Sequence, residues 1–253
     1  MTTEFLPRPH LPQGRVTLAA VSGEYPQVLK VLQALGIETI ALGRSLRLPG
    51  PVACHADMRL FHPGGDVIIA ERGDEPLCEQ LRGHGFQVCP ASKSLGDSYP
   101  HDVLLNCLPL GGCLFGRLDA LELQILAFYR QEGRKLINVR QGYAKCSVAP
   151  LSASAAMTAD RGLWRALQGE GIETLLLSPG GVRLEGYDHG FIGGCCFLAE
   201  PGLLCFFGDL DSHPEGKMIR SFCQRHGISV RSLFKGPLLD IGSVIPLKCE
   251  SYR

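Results

Sequence analysis

Five short segments of the sequence concentrate the side chains that carry out nucleophilic and acid–base chemistry. They occupy residues 55–57, 101–106, 143–146, 187–189 and 240–243. Between them they offer a thiol, imidazoles, a hydroxyl and several carboxylates. A thiol or hydroxyl beside a base can act as a nucleophile, and carboxylates bind cationic groups. If the fold brings these segments together, they form a site for a small cationic molecule.

Cys146 is the cysteine whose neighbours suggest reactivity. It follows Lys145, and a nearby positive charge lowers the pKa of a thiol and so raises its thiolate fraction. The alternative is a thiol that packs as a small hydrophobic side chain. Four other cysteines lie in apolar stretches, which favours that alternative for them: Cys107, Cys195, Cys196 and Cys205. The chain has 11 cysteines and no Cys-x-x-Cys pair, so we expect reduced thiols and no structural zinc site.

Three aspartates are candidates for binding a cation: Asp57, Asp188 and Asp240. Turn formation or capping is the alternative role for each of them. A metal site built from His55, Asp57 and His62 is disfavoured, because His55 and His62 are seven positions apart and a straight strand would place them on opposite faces. The paired glycines lack a dinucleotide-binding fingerprint. We therefore predict neither a metal nor a cofactor.

A recurring unit of helix, glycine and short apolar strand is expected to position these segments. Residues 29–40 and 164–175 match in pattern and nearly in letters. Weaker copies lead into Gly85, Gly133 and Gly227. The glycine after each helix is predicted to adopt the left-handed conformation, which glycine reaches without a steric cost.

Two further strands are predicted before the helix of a unit. The clearest pairs are residues 55–61 with 66–70, 141–148 with 155–158, and 187–198 with 203–207. Residues 241–247 have no strand after them, and residues 16–21 have none before them. We predict that these two terminal strands pair, which would close a ring of five units and remove exposed strand edges.

This pattern resembles the penteins, a superfamily that includes arginine and agmatine deiminases, dimethylarginine dimethylaminohydrolase, glycine amidinotransferase and a ribosome anti-association factor. A closer likeness is to an uncharacterised bacterial family with a fold of this kind. The residues that carry the closer likeness are 55–57, 141–147, 178–180, 186–194, 208–210 and 240–243. The resemblance implies an α/β fold, a pentein-like α/β propeller of five ββαβ-type repeats with pseudo-fivefold symmetry. Residues 1–15 would be a loose lead-in, and residues 16–248 a single domain.

The resemblance also implies a chemistry. In pentein hydrolases a thiolate attacks a guanidinium carbon with the help of a histidine, while acidic residues bind the planar cation. Ser243 stands where those enzymes have their nucleophilic cysteine, and His189 is the best match to their histidine. The predicted catalytic residues are Cys146, His189 and Ser243. The predicted substrate-binding residues are His55, Asp57, Tyr143, Lys145, Asp188 and Asp240.

Composition limits the class of partner. The 25 basic residues balance the 25 acidic ones, which makes nucleic acid an unlikely ligand. The apolar runs are too short for a membrane helix and no signal peptide is evident, so we expect a cytoplasmic protein.

Three functions stay open. The chain could be a thiol-dependent hydrolase or transferase acting on a guanidino or amidine compound, a small-molecule sensor, or a non-catalytic module that binds a protein partner.

Overall fold

The computed structural model of the chain describes residues 2–251. Its strands form five sheets of one shared topology and a small two-stranded parallel sheet. In chain order the strands are β1 (Thr3–Phe5), β2 (Val16–Ser22), β3 (Glu38–Leu42), β4 (Leu60–Phe61), β5 (Val67–Ala70), β6 (Gln87–Pro90), β7 (Leu108–Leu110), β8 (Cys113–Gly116), β9 (Lys135–Asn138), β10 (Val148–Ser152), β11 (Ala155–Thr158), β12 (Glu173–Leu176), β13 (Val182–Arg183), β14 (Cys196–Glu200), β15 (Leu203–Phe206), β16 (Ser229–Ser232), β17 (Leu238–Leu239) and β18 (Val244–Glu250).

The helices are α1 (Pro26–Ala34), α2 (Ala56–Arg59), α3 (Glu75–Gly83), α4 (Leu123–Gln131), α5 (Ala144–Ser147), α6 (Arg161–Gly169) and α7 (Gly216–Arg225). The five repeated sheets have the orders β1-β18-β2-β3, β4-β5-β6, β7-β8-β9, β10-β11-β12 and β14-β15-β16. In each of them an antiparallel pair is followed by a helix, and the next strand returns parallel to the second member of the pair. The sixth sheet pairs β13 with β17.

The glycine predicted after each long helix is present in the expected conformation. Gly36, Gly85, Gly133, Gly171 and Gly227 have φ of 75°, 87°, 66°, 78° and 70°. After α6, Gly171 turns the chain sharply enough for Glu173 to enter β12, parallel to β11. A residue with a Cβ atom resists this left-handed backbone, which is why glycine marks the end of the helix.

Three of the predicted first strands are shorter than expected, because the chain makes a helical turn before the strand begins. Residues 55–61 contain α2 before β4, and residues 141–148 contain α5 before β10. Residues 187–198 contain a 3-10 turn at Ile192–Gly194 before β14. A strand would send successive side chains to opposite faces, whereas a helical turn lets neighbouring polar residues face one side. The predicted second strands at β5, β11 and β15 are confirmed.

The predicted pairing of the terminal strands is confirmed. β18 runs antiparallel to β2, with Val244 opposite Val21 and Ile245 opposite Ala20. Within residues 2–251 the strands form separate sheets, and none of these sheets closes on itself. The lead-in is not loose over its whole length. β1 pairs with β18, and Leu6 is fully buried.

Each long helix packs an apolar stripe against its own sheet. In α6 the stripe consists of Leu163 and Leu167, which are both fully buried, and in α1 it consists of Val28 and Leu32. Burial of one such side chain stabilises the fold by about 1.5–3 kcal/mol. The helical layer therefore holds each sheet in place and leaves the turns before β4, β10, β14 and β18 free to carry polar groups. In residues 2–251, no helix has the length and hydropathy needed to cross a bilayer.

Candidate functional site

A cavity of about 100 Å³ lies where the polar turns of several units meet. Five of the nine predicted site residues line it: His55, Tyr143, Cys146, His189 and Asp240. The other lining residues are Val52, Met58, Leu184, Tyr187 and Phe191. These residues come from segments far apart in sequence, so the predicted convergence of the segments is found in the structure.

Beneath this cavity, Asp57 joins Cys146 and Ser243. The Cys146 thiol donates to Asp57 Oδ2 over 3.0 Å, and the Ser243 hydroxyl donates to the same oxygen over 2.5 Å. The carbonyl oxygen of Gly193 lies 2.9 Å from Ser243 Oγ. Asp57 and Ser243 are both buried. Two candidate nucleophiles therefore share one carboxylate, but only Cys146 reaches the cavity.

The Lys145 ammonium group contacts Ser243 and Gly193. Its Nζ donates to Ser243 Oγ over 3.0 Å and to the carbonyl oxygen of Gly193 over 3.4 Å. The expected lowering of the Cys146 pKa is not found. Burial, reinforced by the negative charges of Asp57 and Asp240, raises the pKa of this thiol well above its ordinary value. A buried neutral thiol has a small thiolate fraction.

Asn106 is a site residue that was not among those predicted from the sequence. Its Nδ2 donates to Cys146 Sγ over 3.0 Å, and its Oδ1 accepts from the backbone N–H of Lys145 over 2.8 Å. The first contact favours a thiolate and opposes part of the rise in the Cys146 pKa. The signal was its position at the end of the polar segment 101–106, the counterpart of the turn that carries Cys146.

Backbone N–H groups hold the Asp240 carboxylate, which also interacts electrostatically with His55. Its two carboxylate oxygens accept from the N–H groups of Phe191 and Gly242, over 2.8 Å and 2.9 Å. Burial raises the pKa of Asp240, while the charge of His55 and the two backbone N–H groups counteract that rise. Within residues 2–251, the buried His55 Nε2 and Asp57 Oδ1 have no hydrogen-bond partner. Native structures rarely bury unpaired polar atoms, so both are available to a ligand.

Two glycines allow this close packing around Asp240. A Cβ atom on Gly194 would overlap Asp240 Oδ1, and one on Gly242 would overlap the ring of His55. Gly242 also has φ of 74°, which a larger residue adopts only with strain. The paired glycines at 193–194 therefore allow close backbone approach.

Aromatic rings form one wall of the cavity. The Tyr143 and Phe191 ring centroids are 6.0 Å apart, and the Tyr143 hydroxyl donates to Asp102 Oδ2 over 2.6 Å. Burial and this hydrogen bond raise the pKa of Tyr143, so its hydroxyl stays neutral. Tyr187 is 47% exposed at the mouth. Aromatic faces of this kind attract cations.

Two of the predicted residues, Asp188 and His189, lie at the surface. Asp188 is exposed and does not line the cavity. His189 is also exposed, and its Nδ1 faces the carbonyl oxygen of Gly190 at 3.1 Å. In the described part of the chain, no group of three or more His, Cys, Asp or Glu residues is placed to hold a metal ion.

The fold resembles those of several solved enzymes. The inosamine-phosphate amidinotransferase from Streptomyces griseus has a TM-score of 0.58 and 12% identity, with 96% of this chain and 97% of that chain covered. A variant of dimethylarginine dimethylaminohydrolase from Pseudomonas aeruginosa, in complex with citrulline, has a TM-score of 0.55 and 10% identity, with 86% and 92% covered. The agmatine deiminase from C. jejuni has a TM-score of 0.51 and 8% identity, with 92% and 91% covered.

These identities are low, so what the chain shares with these enzymes is the mixed α/β fold of the pentein superfamily. The predicted resemblance is thereby confirmed. No curated protein matches the sequence. The Family of unknown function (DUF6873) matches residues 20–245, and because this is nearly the whole chain, the protein belongs to that family.

Proposed function

We propose that this protein binds a small guanidino or amidino compound in the cavity and acts on one of its C–N bonds, as a hydrolase or transferase with Cys146 as nucleophile. The observation that carries the proposal is the contact of 3.0 Å between the Cys146 thiol and Asp57 Oδ2. It lies at the base of a cavity that also exposes Asp240 and His55.

The ligand is expected to be a cation because of the charges around the cavity. Asp240 lines the cavity, and Asp57, buried beneath it, has an oxygen, Oδ1, with no hydrogen-bond partner among residues 2–251. Carboxylates accept paired N–H donors from a planar amidinium group in a charge-assisted geometry. The rings of Tyr143, Tyr187 and Phe191 add faces that attract a cation. The Asp188 carboxylate could draw cations toward the exposed mouth.

Binding of a cation would favour the thiolate form of Cys146, which the resting site disfavours. Burial and two carboxylates hold Cys146 protonated, and an amidinium group between them removes that electrostatic opposition. The thiol proton then passes to Asp57 Oδ2. The sulfur attacks the amidinium carbon, a C–S bond forms, and the electron pair of the C=N bond moves to nitrogen.

Collapse of this adduct breaks the C–N bond to the leaving amine, which takes a proton from His55, the buried histidine on the cavity. Water or an acceptor amine next attacks the carbon that remains bound to sulfur. The C–S bond breaks, its electron pair returns to sulfur, and Asp57 returns the proton to the thiol. By exchange with solvent, His55 recovers the proton it donated and the base of the second attack releases the proton it accepted. His189 suits the role of base for that second attack, because its Nδ1 faces a carbonyl oxygen and its Nε2 is left to accept a proton.

The similar structures support this choice of chemistry. The enzymes named above include an amidinotransferase, a deiminase of agmatine and an enzyme crystallised with citrulline.

We further propose that the five repeated sheets surround a pseudo-fivefold axis with the polar turns at its centre. The 11 cysteines are all free, which favours a reducing compartment such as the cytoplasm.

A non-catalytic binding protein on the same fold is the second candidate. Two observations favour it. The pKa of Cys146 is raised, and the Ser243 hydroxyl is buried against Asp57 and Gly193. The resemblance predicts Ser243 at the position of the enzymes' nucleophilic cysteine. In that case the ligand would bind in the cavity without undergoing a reaction.

The first test compares two alkylating reagents of nearly equal size, cationic chloroacetamidine and neutral chloroacetamide. The labelling rate at each cysteine is read by peptide mass spectrometry. Cys89 is only partly buried and serves as the internal reference for intrinsic reactivity. We expect chloroacetamidine to label Cys146 at least about tenfold faster than chloroacetamide after this normalisation, and Asp240→Asn to reduce the preference.

Equal rates for the two reagents at Cys146 would contradict the proposal. If guanidinium raises the melting temperature but Cys146 shows no preference for the cationic reagent, the non-catalytic candidate is favoured instead.

A further inference from the structure

A second cavity, of about 180 Å³, lies beside the first. The two cavities share His189 and Phe191 as lining residues, so these two side chains form the partition between them. The polar side chains of the second cavity are those of Gln141, Asp160, Ser178, His189 and His213. A ligand that extends past the partition would occupy both spaces.

The lining of both cavities lacks a fixed positive charge. No Lys or Arg is among the described residues that line either of them. His213 is buried, and burial lowers its pKa, which keeps the ring neutral near neutral pH. A carboxylate on the ligand would therefore have no cationic partner in either lining and would lie near the negative charges of Asp160 and Asp240.

Asp160 gives the second cavity a negative charge with spare hydrogen-bonding capacity. Its Oδ1 accepts from the N–H of Leu163 over 2.7 Å and caps α6. Its Oδ2 has a contact of 3.4 Å with Gln141 Nε2, which is long for a hydrogen bond. An ammonium group could replace that weak contact with a shorter, charge-assisted one.

The Gln141 side chain contacts one residue from the lining of each cavity. Its Oε1 accepts from the backbone N–H of Tyr143 over 3.1 Å, and Tyr143 belongs to the wall of the first cavity. Its Nε2 reaches Asp160 in the second cavity. A group bound at Asp160 would therefore lie against the same side chain that holds the aromatic wall of the first cavity.

From these observations we infer that the ligand is a guanidine or amidine derived from a diamine, with a second, ammonium cation on its tail and no carboxylate. The head occupies the first cavity and the ammonium lies against Asp160 in the second. This inference rests on the proposed function. The tail would pass beside His189, which is exposed and lines both cavities.

The test is a calorimetric titration of the full chain with three probes that share one head group: butylguanidine, agmatine and arginine. They differ in carrying a neutral tail, an ammonium tail, and an ammonium with a carboxylate. We expect agmatine to bind at least about tenfold more tightly than butylguanidine, and arginine to bind more weakly than agmatine. A series of ω-aminoalkylguanidines then finds the best chain length.

Asp160→Asn is the matched variant, because asparagine also caps helices well and the amide keeps the shape of the side chain. It should reduce agmatine binding to the level of butylguanidine and leave butylguanidine binding unchanged. If butylguanidine binds but neither the ammonium nor Asp160 affects affinity, this inference is overturned while the proposed function stands. If none of the three probes binds, the proposed function fails with it.

Discussion

Ser243 lies 2.5 Å from Asp57 and donates its hydroxyl proton to Oδ2 of that carboxylate. The same hydroxyl is 2.9 Å from the carbonyl oxygen of Gly193 and accepts from Lys145. A hydroxyl has one proton, so it can donate to only one of these oxygens at a time. When Asp57 is charged, the proton belongs there. In the proposed mechanism Asp57 takes the thiol proton. The hydroxyl could then turn to Gly193, and Asp57 would keep a partner in both states.

Ser243→Ala removes this shared donor. We expect the variant to lose about 1–3 kcal/mol of the free energy of unfolding, because Asp57 and Lys145 each lose a buried hydrogen-bond partner. Urea unfolding measures the change. Ser154→Ala, at an exposed position, is the control and should stay within about 0.5 kcal/mol of the wild type. Equal stability of the two variants would show that the Ser243 hydroxyl contributes nothing to the fold.

The reactivity of Cys146 should follow the charges beside it. Asp57→Asn removes a carboxylate that opposes the thiolate, so the pH midpoint of alkylation by neutral chloroacetamide should fall. Asn106→Asp adds a carboxylate and removes a donor, so the midpoint should rise. The measurement is the labelling rate of Cys146 as a function of pH, read by peptide mass spectrometry. Shifts in the same direction for both variants would contradict this account of the thiol.

Acid should destabilise the protein through His10. Burial, with contributions from Lys145 and His62, holds the pKa of His10 well below its ordinary value in the folded state. The unfolded chain therefore binds a proton that the folded chain does not. Stability is full above about pH 6.5 and is lost as the pH falls toward the folded pKa. The loss between about pH 7 and about pH 5 should be at most about 2 kcal/mol for this residue.

His10→Asn tests that account. Asparagine tolerates the positive φ of 62° at this position better than most residues. The variant should lose less stability than the wild type between those two pH values in urea unfolding. His101→Asn, at an exposed position, should leave the pH dependence unchanged. If both variants keep the wild-type pH dependence, His10 is not the acid-sensitive group.

Close packing between Gly242 and His55 predicts a large cost for a single methyl group. Gly242→Ala introduces strain at φ of 74° and also overlaps the His55 ring. Gly171→Ala meets the same backbone strain at φ of 78°, but nothing lies within 4 Å of the added atom. We expect Gly242→Ala to lose about 1–3 kcal/mol more than Gly171→Ala in urea unfolding. Similar losses for the two variants would mean that His55 moves aside freely.

Local patterns in the sequence predicted much of the architecture. The glycines after the long helices and the pairing of β18 with β2 are confirmed, because each depends on one residue type or on an unpaired strand edge. The helical turns of α2 and α5 were not foreseen. Four residues cannot show a helical period, and their apolar neighbours in the next strand dominated the pattern.

The convergence of His55, Tyr143, Cys146, His189 and Asp240 on one cavity was also predicted, from the repeats. Their chemical roles remain proposals, as do those of Asp57, Lys145, Asp188 and Ser243. The position of Asn106 at the end of the polar segment 101–106 marked it as polar, but the sequence does not tell which atom it contacts. Its role as a donor to Cys146 depends on which turn lies beside it in space.

The sequence by itself determined the repeated units and the polar segments between them, since these depend on residue type and spacing. Only the tertiary structure decided which atoms each charged side chain contacts. Lys145 follows Cys146 in the chain, yet its ammonium group reaches Ser243 while the thiol faces Asp57. Electrostatic energies depend on distance and burial, and neither follows from adjacency in sequence. The pKa of Cys146 is therefore raised where its neighbour alone would have lowered it.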